Sequence, residues 1–267
     1  MEQSAKSNFQ IGILLSLSLA HFLNDTFQSI ISAVYPVLKD NLLLTFTQIG
    51  LITLVYQICA SVFQPVFGIL FDKKPSPWYL IIGTTSTCIG LFFRAYANTL
   101  FLVLVSVAFV GLGSSILHPE ASRLTHLASG GKHGLAQSIF QVGGNFGSSL
   151  GPLLAALIIT PYGQHFIVYF GIAASIAILL KYPIFSWYNK RIKWLKTAHR
   201  PEITPKENLL PRKTIIFSLG VLLILIFSKY VYMASLTNFY TFYLMEKFEV
   251  TKQSSQIFLF VFLFAVA

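Results

Sequence analysis

The sequence predicts an all-α integral membrane protein, with a complete six-helix bundle followed by the start of a second one. Three observations carry that prediction. Of the 267 residues, 55% are hydrophobic and only 10% are charged, where a soluble domain carries about 25% charged residues. Mean hydropathy is +0.69. Long apolar runs recur along the whole chain, and the basic residues collect in the short connectors between them. The net charge of +10 therefore follows the rule that basic loops set membrane orientation, so the expected partner is a lipid bilayer and not nucleic acid. Cys59 and Cys88 both fall inside apolar runs without metal-ligand spacing, so neither a disulfide framework nor a metal is expected. The first apolar segment is too long for a signal h-region and lacks a cleavage site, so it is expected to remain as a span.

Taken in order, the runs at 9–38, 46–70, 78–97, 99–119, 135–159, 164–187 and 213–243 can each cross a core of roughly 30 Å. An incomplete eighth begins near Ser255. The expected organisation is a six-span bundle over 1–187, a cytoplasmic linker over 188–213, and a partial second bundle over 214–267. The linker follows from Pro201, Pro205 and Pro211 and from eight basic residues against two acidic ones, Glu202 and Glu207, a composition too polar to fold alone. With the N-terminus inside, fourteen basic residues lie on the inner side, among them Lys73, Arg123 and Lys181. Four lie outside, Lys39, Arg94, Lys247 and Lys252. That asymmetry favours a cytoplasmic N-terminus. A faint repeat aligns Leu38 to Thr45 with Leu244 to Thr251 at an offset of 206 residues, and parallel six-span repeats are a common transporter plan.

The first span carries the most informative residues. Ser18, His21, Asp25, Gln28 and Ser32 follow one another at steps of three and four, so they form one polar stripe, flanked by Asn24. Asp25 at the centre of a span costs about 2.5–3.5 kcal/mol on insertion scales and is by default a functional candidate. The stripe reads as the wall of a polar cavity; a polar patch satisfied by neighbouring helices is the plainer alternative. The second span closes on Gly68-Ile-Leu-Phe-Asp72-Lys73-Lys74-Pro75, which resembles the inner-loop signature of the major facilitator superfamily, except that Pro75-Ser76-Pro77 replaces its next glycine and basic residues. Pro119 is expected to kink or end the fourth span, leaving His118 and Glu120 beside Arg123. They fit a proton relay and an interfacial ion pair equally well. Val107 stands where many facilitators carry an arginine. In the fifth span Gly143, Gly147, Gly151 and Ala155 make a ladder for close helix packing, with a bend at Pro152. It resembles the glycine-proline signature of drug–proton antiporters. The seventh span carries Lys229 near Tyr232, Tyr240 and Tyr243, suited to an anionic ligand or to neutralising Asp25.

Several stretches together resemble one group. They are His21-Phe-Leu-Asn24-Asp25, Thr47-Gln48-Ile49-Gly50, His118-Pro119-Glu120, the run Gly134 to Gly147, and Leu222 to Tyr230. These are similar to the fosmidomycin-resistance exporters of the major facilitator superfamily in bacteria, over nearly the whole chain. The resemblance implies a twelve-span fold in the bacterial inner membrane and export of small drugs, including an anionic phosphonate, against protons. It implies no cofactor beyond the proton gradient, and a monomer when full length. On that reading Asp25 binds and releases the proton, with His21, His118 and Glu120 as the other proton-coupling candidates. Asn24, Gln28, Lys229 and Tyr232 are the substrate-binding candidates. Gly68, Asp72, Lys73, Gly147, Gly151 and Pro152 serve gating and packing.

An uptake symporter for organic anions shares this architecture, since residues do not encode direction. A membrane-embedded hydrolase would want a His-Glu-x-x-His pair on one helix face; none occurs, and no enzyme is expected. A non-transporting fragment is the remaining alternative. The last thirteen residues, from about Ser255, make a helix of roughly 20 Å, short of the core thickness, so an exporter truncated within its eighth span is expected.

Overall fold

A computed structural model describes residues 9–197 and 211–267. Helix α1 (Ile11–Ala33) breaks at Val34 and continues as α2 (Tyr35–Leu42). Pro36 causes the break, because it offers no backbone N–H to carry the hydrogen-bond ladder on. A turn then leads to α3 (Phe46–Gln57), which runs through a π-helical turn, Ile58–Val62, into α4 (Phe63–Lys73). After α5 (Tyr79–Ala95) and α6 (Leu100–Ala128) comes α7 (His133–Leu154), followed by a second π turn at Ala155–Ile159 and the short α8 (Thr160–Tyr162). Both π turns lie just ahead of a proline, Pro65 and Pro161, whose missing N–H frees the carbonyl four residues back. Helices α9 (Ile167–Leu179), α10 (Tyr182–Thr197), α11 (Arg212–Phe248) and α12 (Lys252–Val266) complete the described residues. Among the described residues, five continuous helical stretches are long and apolar enough to cross a membrane, the longest being Arg212–Phe248.

Helices cover each expected span, although Ile11–Ala33, Tyr79–Ala95 and Lys252–Val266 are not among those five, and three expectations need correction. Pro119 does not end its helix: α6 runs through it to Ala128, so the turn carrying His118 and Glu120 is held inside a continuous rod. The linker does not begin at Tyr188, because α10 continues to Thr197 with Ile184, Tyr188 and Ile192 buried at four-residue steps on one face. The linker's Pro201, Pro205, Glu202 and Glu207 lie outside the described residues. Two cations counted as interfacial are also buried. Arg94 keeps 2% exposure near the end of α5, and Lys181 keeps 2% between α9 and α10, its Nζ donating to the Ala177 carbonyl at 3.4 Å.

Helix α1 is the central element. Two apolar clusters share it. Leu17 and Ala20 pack with Leu80, Leu117, Phe140 and Tyr188, and one helical stretch further on Phe27 and Ile30 pack with Leu91, Ile159 and Phe170. His21, Asn24 and Asp25 of the polar stripe lie between these two clusters along α1. Helix α7 presses against α1 along the glycine ladder. A Cβ on Gly147 would stand 2.2 Å from the Phe22 carbonyl oxygen, so only hydrogen allows that approach.

The faint repeat has a physical counterpart. Leu43 and Glu249, 206 residues apart, are the two non-glycine residues with left-handed backbone among the described residues, at φ 52° and 54°. Two residues after each, a threonine caps the next helix. Thr45 Oγ1 accepts from the Gln48 amide at 3.2 Å, and Thr251 Oγ1 accepts from the Ser254 amide at 3.1 Å. The two turns therefore share backbone path and cap chemistry.

Candidate functional site

The i, i+4 spacing on α1 puts His21 and Asp25 on one face, and the register of α6 against α1 adds His118. His21 Nε2 lies 3.3 Å from Asp25 Oδ2, and His118 Nε2 lies 3.3 Å from Asp25 Oδ1. The two imidazoles meet edge to face, with centroids 5.0 Å apart. Each ring is oriented by its other nitrogen. His21 Nδ1 donates to the Phe140 carbonyl at 2.9 Å while the ring stacks on Phe140 at 4.0 Å. His118 Nδ1 donates to the Ser114 carbonyl at 3.0 Å. A carbonyl only accepts, so both Nδ1 atoms carry hydrogen and both Nε2 atoms face the carboxylate. Each of the two nitrogen–carboxylate contacts then needs one proton to be attractive; without one, two lone pairs oppose.

Two more groups hold the carboxylate. Asn24 Nδ2 donates to Oδ1 at 3.2 Å, and the Ser148 hydroxyl of α7 donates to Oδ2 at 3.4 Å. The network extends along the stripe. Gln28 Oε1 accepts from Ser114 Oγ at 3.1 Å and from the Tyr56 hydroxyl of α3, while Gln28 Nε2 is buried with no partner among the described residues. Gly144 makes the site possible, since a Cβ there would lie 2.3 Å from His21 Cε1. Sequence reasoning did not single out Tyr56, Ser114, Phe140, Gly144 or Ser148 as site residues. Ser114, one helical turn before His118, was the readable one.

The site opens to one side. The side chains of Asp25 and His118 keep 16% and 25% exposure, against 5% for His21. His118 lines a cavity of about 380 Å³ with Gln64, Ser122, Gln137, Phe140 and Gln141. A neighbouring cavity of about 410 Å³ holds Gly68, Asp72, Pro119, Arg123 and His126. Gly68 faces Pro119 there, and Lys73 is exposed in the last turn of α4. Pro152 is buried within α7, and Gly151 meets Ser29 of α1 as Gly147 meets Phe22.

Other expected residues stand apart. Glu120, 1% exposed, is bound by Arg123 through Nε at 3.0 Å and NH2 at 2.8 Å, and Arg123 NH2 also donates to Tyr188 at 2.5 Å. This ties α6 to α10 and leaves Glu120 outside the histidine–aspartate contacts. Lys229 and Tyr232 lie on an exposed stretch of α11 and are not brought to Asp25. The physical reason is that α11 meets the first bundle through its C-terminal third, where Asn238, Thr241, Phe242 and Leu244 are buried.

The chain is 52% identical over 264 residues to the fosmidomycin resistance protein of Escherichia coli (strain K12), covering 99% of this chain and 64% of that protein. It is 40% identical over 251 residues to the uncharacterized MFS-type transporter YfnC of Bacillus subtilis (strain 168), covering 94% and 61% respectively. The chain thus spans somewhat under two thirds of the length of these relatives. Among solved structures, a bacterial homolog of the human lysosomal transporter Spinster superposes with TM-score 0.69 at 16% identity, over 94% of this chain and 58% of that one. The peptide transporter POT superposes with TM-score 0.56 at 20% identity, over 80% and 45%; both likenesses concern the fold alone. Residues 17–267 match the Major Facilitator Superfamily, and the chain belongs to that family of transporters.

Proposed function

We propose that this chain forms the first bundle, and the beginning of the second, of a proton-coupled exporter of small anionic drugs such as fosmidomycin, working by alternating access in the bacterial inner membrane with its N-terminus in the cytoplasm. The observation that carries the reading is the half-buried His21–Asp25–His118 constellation, joined to a polar cavity at one edge. An ionised carboxylate within a span is costly, and two histidines lower that cost only while protons lie between nitrogen and oxygen. Losing the proton between His118 and Asp25 leaves a bare lone-pair contact between α1 and α6, so proton occupancy there and helix packing are coupled. A bistable helix contact biased by a proton is what coupled transport requires.

Asp25 is the proton carrier, with His21 and His118 setting its surroundings and Asn24 holding its orientation. Gln28 Nε2, buried and without a partner among the described residues, is a donor suited to a substrate oxygen. Lys229 and Tyr232 stand apart from Asp25 on the exposed stretch of α11, and on this reading they would offer a cation and a hydroxyl to an anionic substrate only in the chain extended to the length of its relatives. The 52% identity to a fosmidomycin resistance protein supports the substrate class and the outward direction. The test is drug accumulation in cells making this chain, and in cells making it extended to the length of its relatives, with and without a collapsed proton gradient. Gradient-dependent loss of fosmidomycin from the cells is expected. Gradient-dependent gain would show an uptake symporter instead, and unchanged accumulation in the extended protein would remove the transport reading.

A further inference from the structure

We propose that His21, Asp25 and His118 form a binding site for one divalent transition-metal ion of zinc's character, entered from the cavity beside His118. Sequence spacing leads to no expectation of a metal here, because the third ligand comes from a different helix. In the fold, one nitrogen from each histidine and a carboxylate oxygen all lie within 4.8 Å of one another. His21 Nε2 stands 3.3 Å from Asp25 Oδ2, and His118 Nε2 stands 3.3 Å from Asp25 Oδ1. A charge-assisted N–H···O bond draws in to about 2.7–2.9 Å. Two ligands bound to one ion at about 2.0–2.1 Å and near the tetrahedral angle stand about 3.3 Å apart. Two of the three ligand pairs therefore match a coordination edge, each through its own oxygen of the one carboxylate, and all three fall within 4.8 Å.

The remaining requirements are also met. Both imidazoles are anchored through Nδ1 to backbone carbonyls, of Phe140 and Ser114, which is the outer-shell arrangement that aims Nε2 at a metal and fixes its tautomer. Ser148 and Asn24 hold the carboxylate in the same way. Two imidazole nitrogens with one carboxylate suit zinc, cobalt, nickel and copper, whereas magnesium and calcium want oxygen ligands throughout. Three protein ligands with an open fourth position is the arrangement that admits water. The open edge is on the His118 side, where Gln64, Ser122, Gln137 and Gln141 line the cavity and provide an entry path. Since two ligands belong to α1 and one to α6, an ion held there joins the two helices. The proposal needs only the convergence of these groups and does not depend on the transport reading.

The test uses the purified 267-residue chain in lipid nanodiscs with Co²⁺ and Zn²⁺ as probes. One Co²⁺ per chain is expected, with the visible absorption of four-coordinate cobalt, displaced by Zn²⁺ and not by Mg²⁺. Asp25→Asn and His118→Ala should each lose that signal. His126→Ala combined with His133→Ala should keep it, since those two stacked rings are the competing histidine pair. To guard against misfolded variants, histidine carbethoxylation of the unmodified chain is read by mass spectrometry, with Zn²⁺ protection expected at His21 and His118. No saturable binding by folded protein would overturn the proposal. So would binding that survives Asp25→Asn and His118→Ala in folded variants, or protection confined to His126, His133 or His165.

Discussion

Replacing Gly144 by alanine tests the central geometry without touching an ionisable group. The added methyl would lie 2.3, 2.5 and 2.7 Å from Cε1, Nε2 and Nδ1 of His21. Ordinary contact begins near 3.4 Å, so the ring must retreat by about an ångström or α7 must lift from α1. The ring cannot retreat freely, because it is stacked on Phe140 at 4.0 Å and donates to the Phe140 carbonyl at 2.9 Å. Overpacking of this kind costs about 1–3 kcal/mol, and losing the hydrogen bond about 0.5–1.5 kcal/mol more. Against this, alanine gains up to about 1 kcal/mol over glycine as a helix former. The net expectation is a loss of about 1–3 kcal/mol. Gly50→Ala is the control, since a Cβ there meets nothing within 4 Å and only the propensity gain remains. Thermal unfolding of both purified variants is the measurement, and His21→Ala added to Gly144→Ala should restore most of the loss. A Gly144→Ala protein as stable as Gly50→Ala would refute the packing argument.

Further expectations concern charge. Asp25→Asn should abolish gradient-driven export while the protein still accumulates in the membrane, because an amide cannot exchange the proton; full export by the variant, in the extended chain, would remove Asp25 from the mechanism. Lys229→Ala should weaken anionic substrates more than neutral ones, since a cation acts strongly in low-dielectric surroundings, and equal losses in competition assays would assign it a structural part. Arg123→Ala strands the buried Glu120 carboxylate and should cost about 3–5 kcal/mol, whereas Glu120→Gln with Arg123→Ala together should cost less. A double variant no more stable than the single one would count against the pairing.

Much of the fold was legible because a membrane forces each apolar run to be a helix, which fixes the span order with little else. The polar stripe of α1 was legible for a similar reason: the residues lie on one helix, where sequence spacing is geometry. His118 was visible as a candidate but not as a partner of Asp25, because which side chains meet between α1 and α6 depends on the relative height of the two rods. The same applies to the glycine ladder. Its spacing announces close packing, but not that Gly144 makes room for an imidazole. The extension of α10 was missed because eight cations outweighed the stripe of Ile184, Tyr188 and Ile192 at steps of four, which buries one face even in a charged segment. Arg94 and Lys181 were misplaced because a charge near a span end reads as interfacial whether or not its side chain turns inward.

The way α1 is fastened on its two sides has a mechanical consequence. Toward α7 it is seated backbone to backbone, with Phe22 against Gly147 and Ser29 against Gly151, a fit that tolerates neither sliding nor separation without losing contact along its length. Toward α6 its polar links are point contacts, Asp25 with His118 and Gln28 with Ser114, flanked by apolar side chains such as Leu17 and Leu117. The bundle is therefore jointed on one seam and welded on the other. At the depth of the site, relative movement is therefore expected at the α1–α6 seam, with α1 and α7 acting as a single strut.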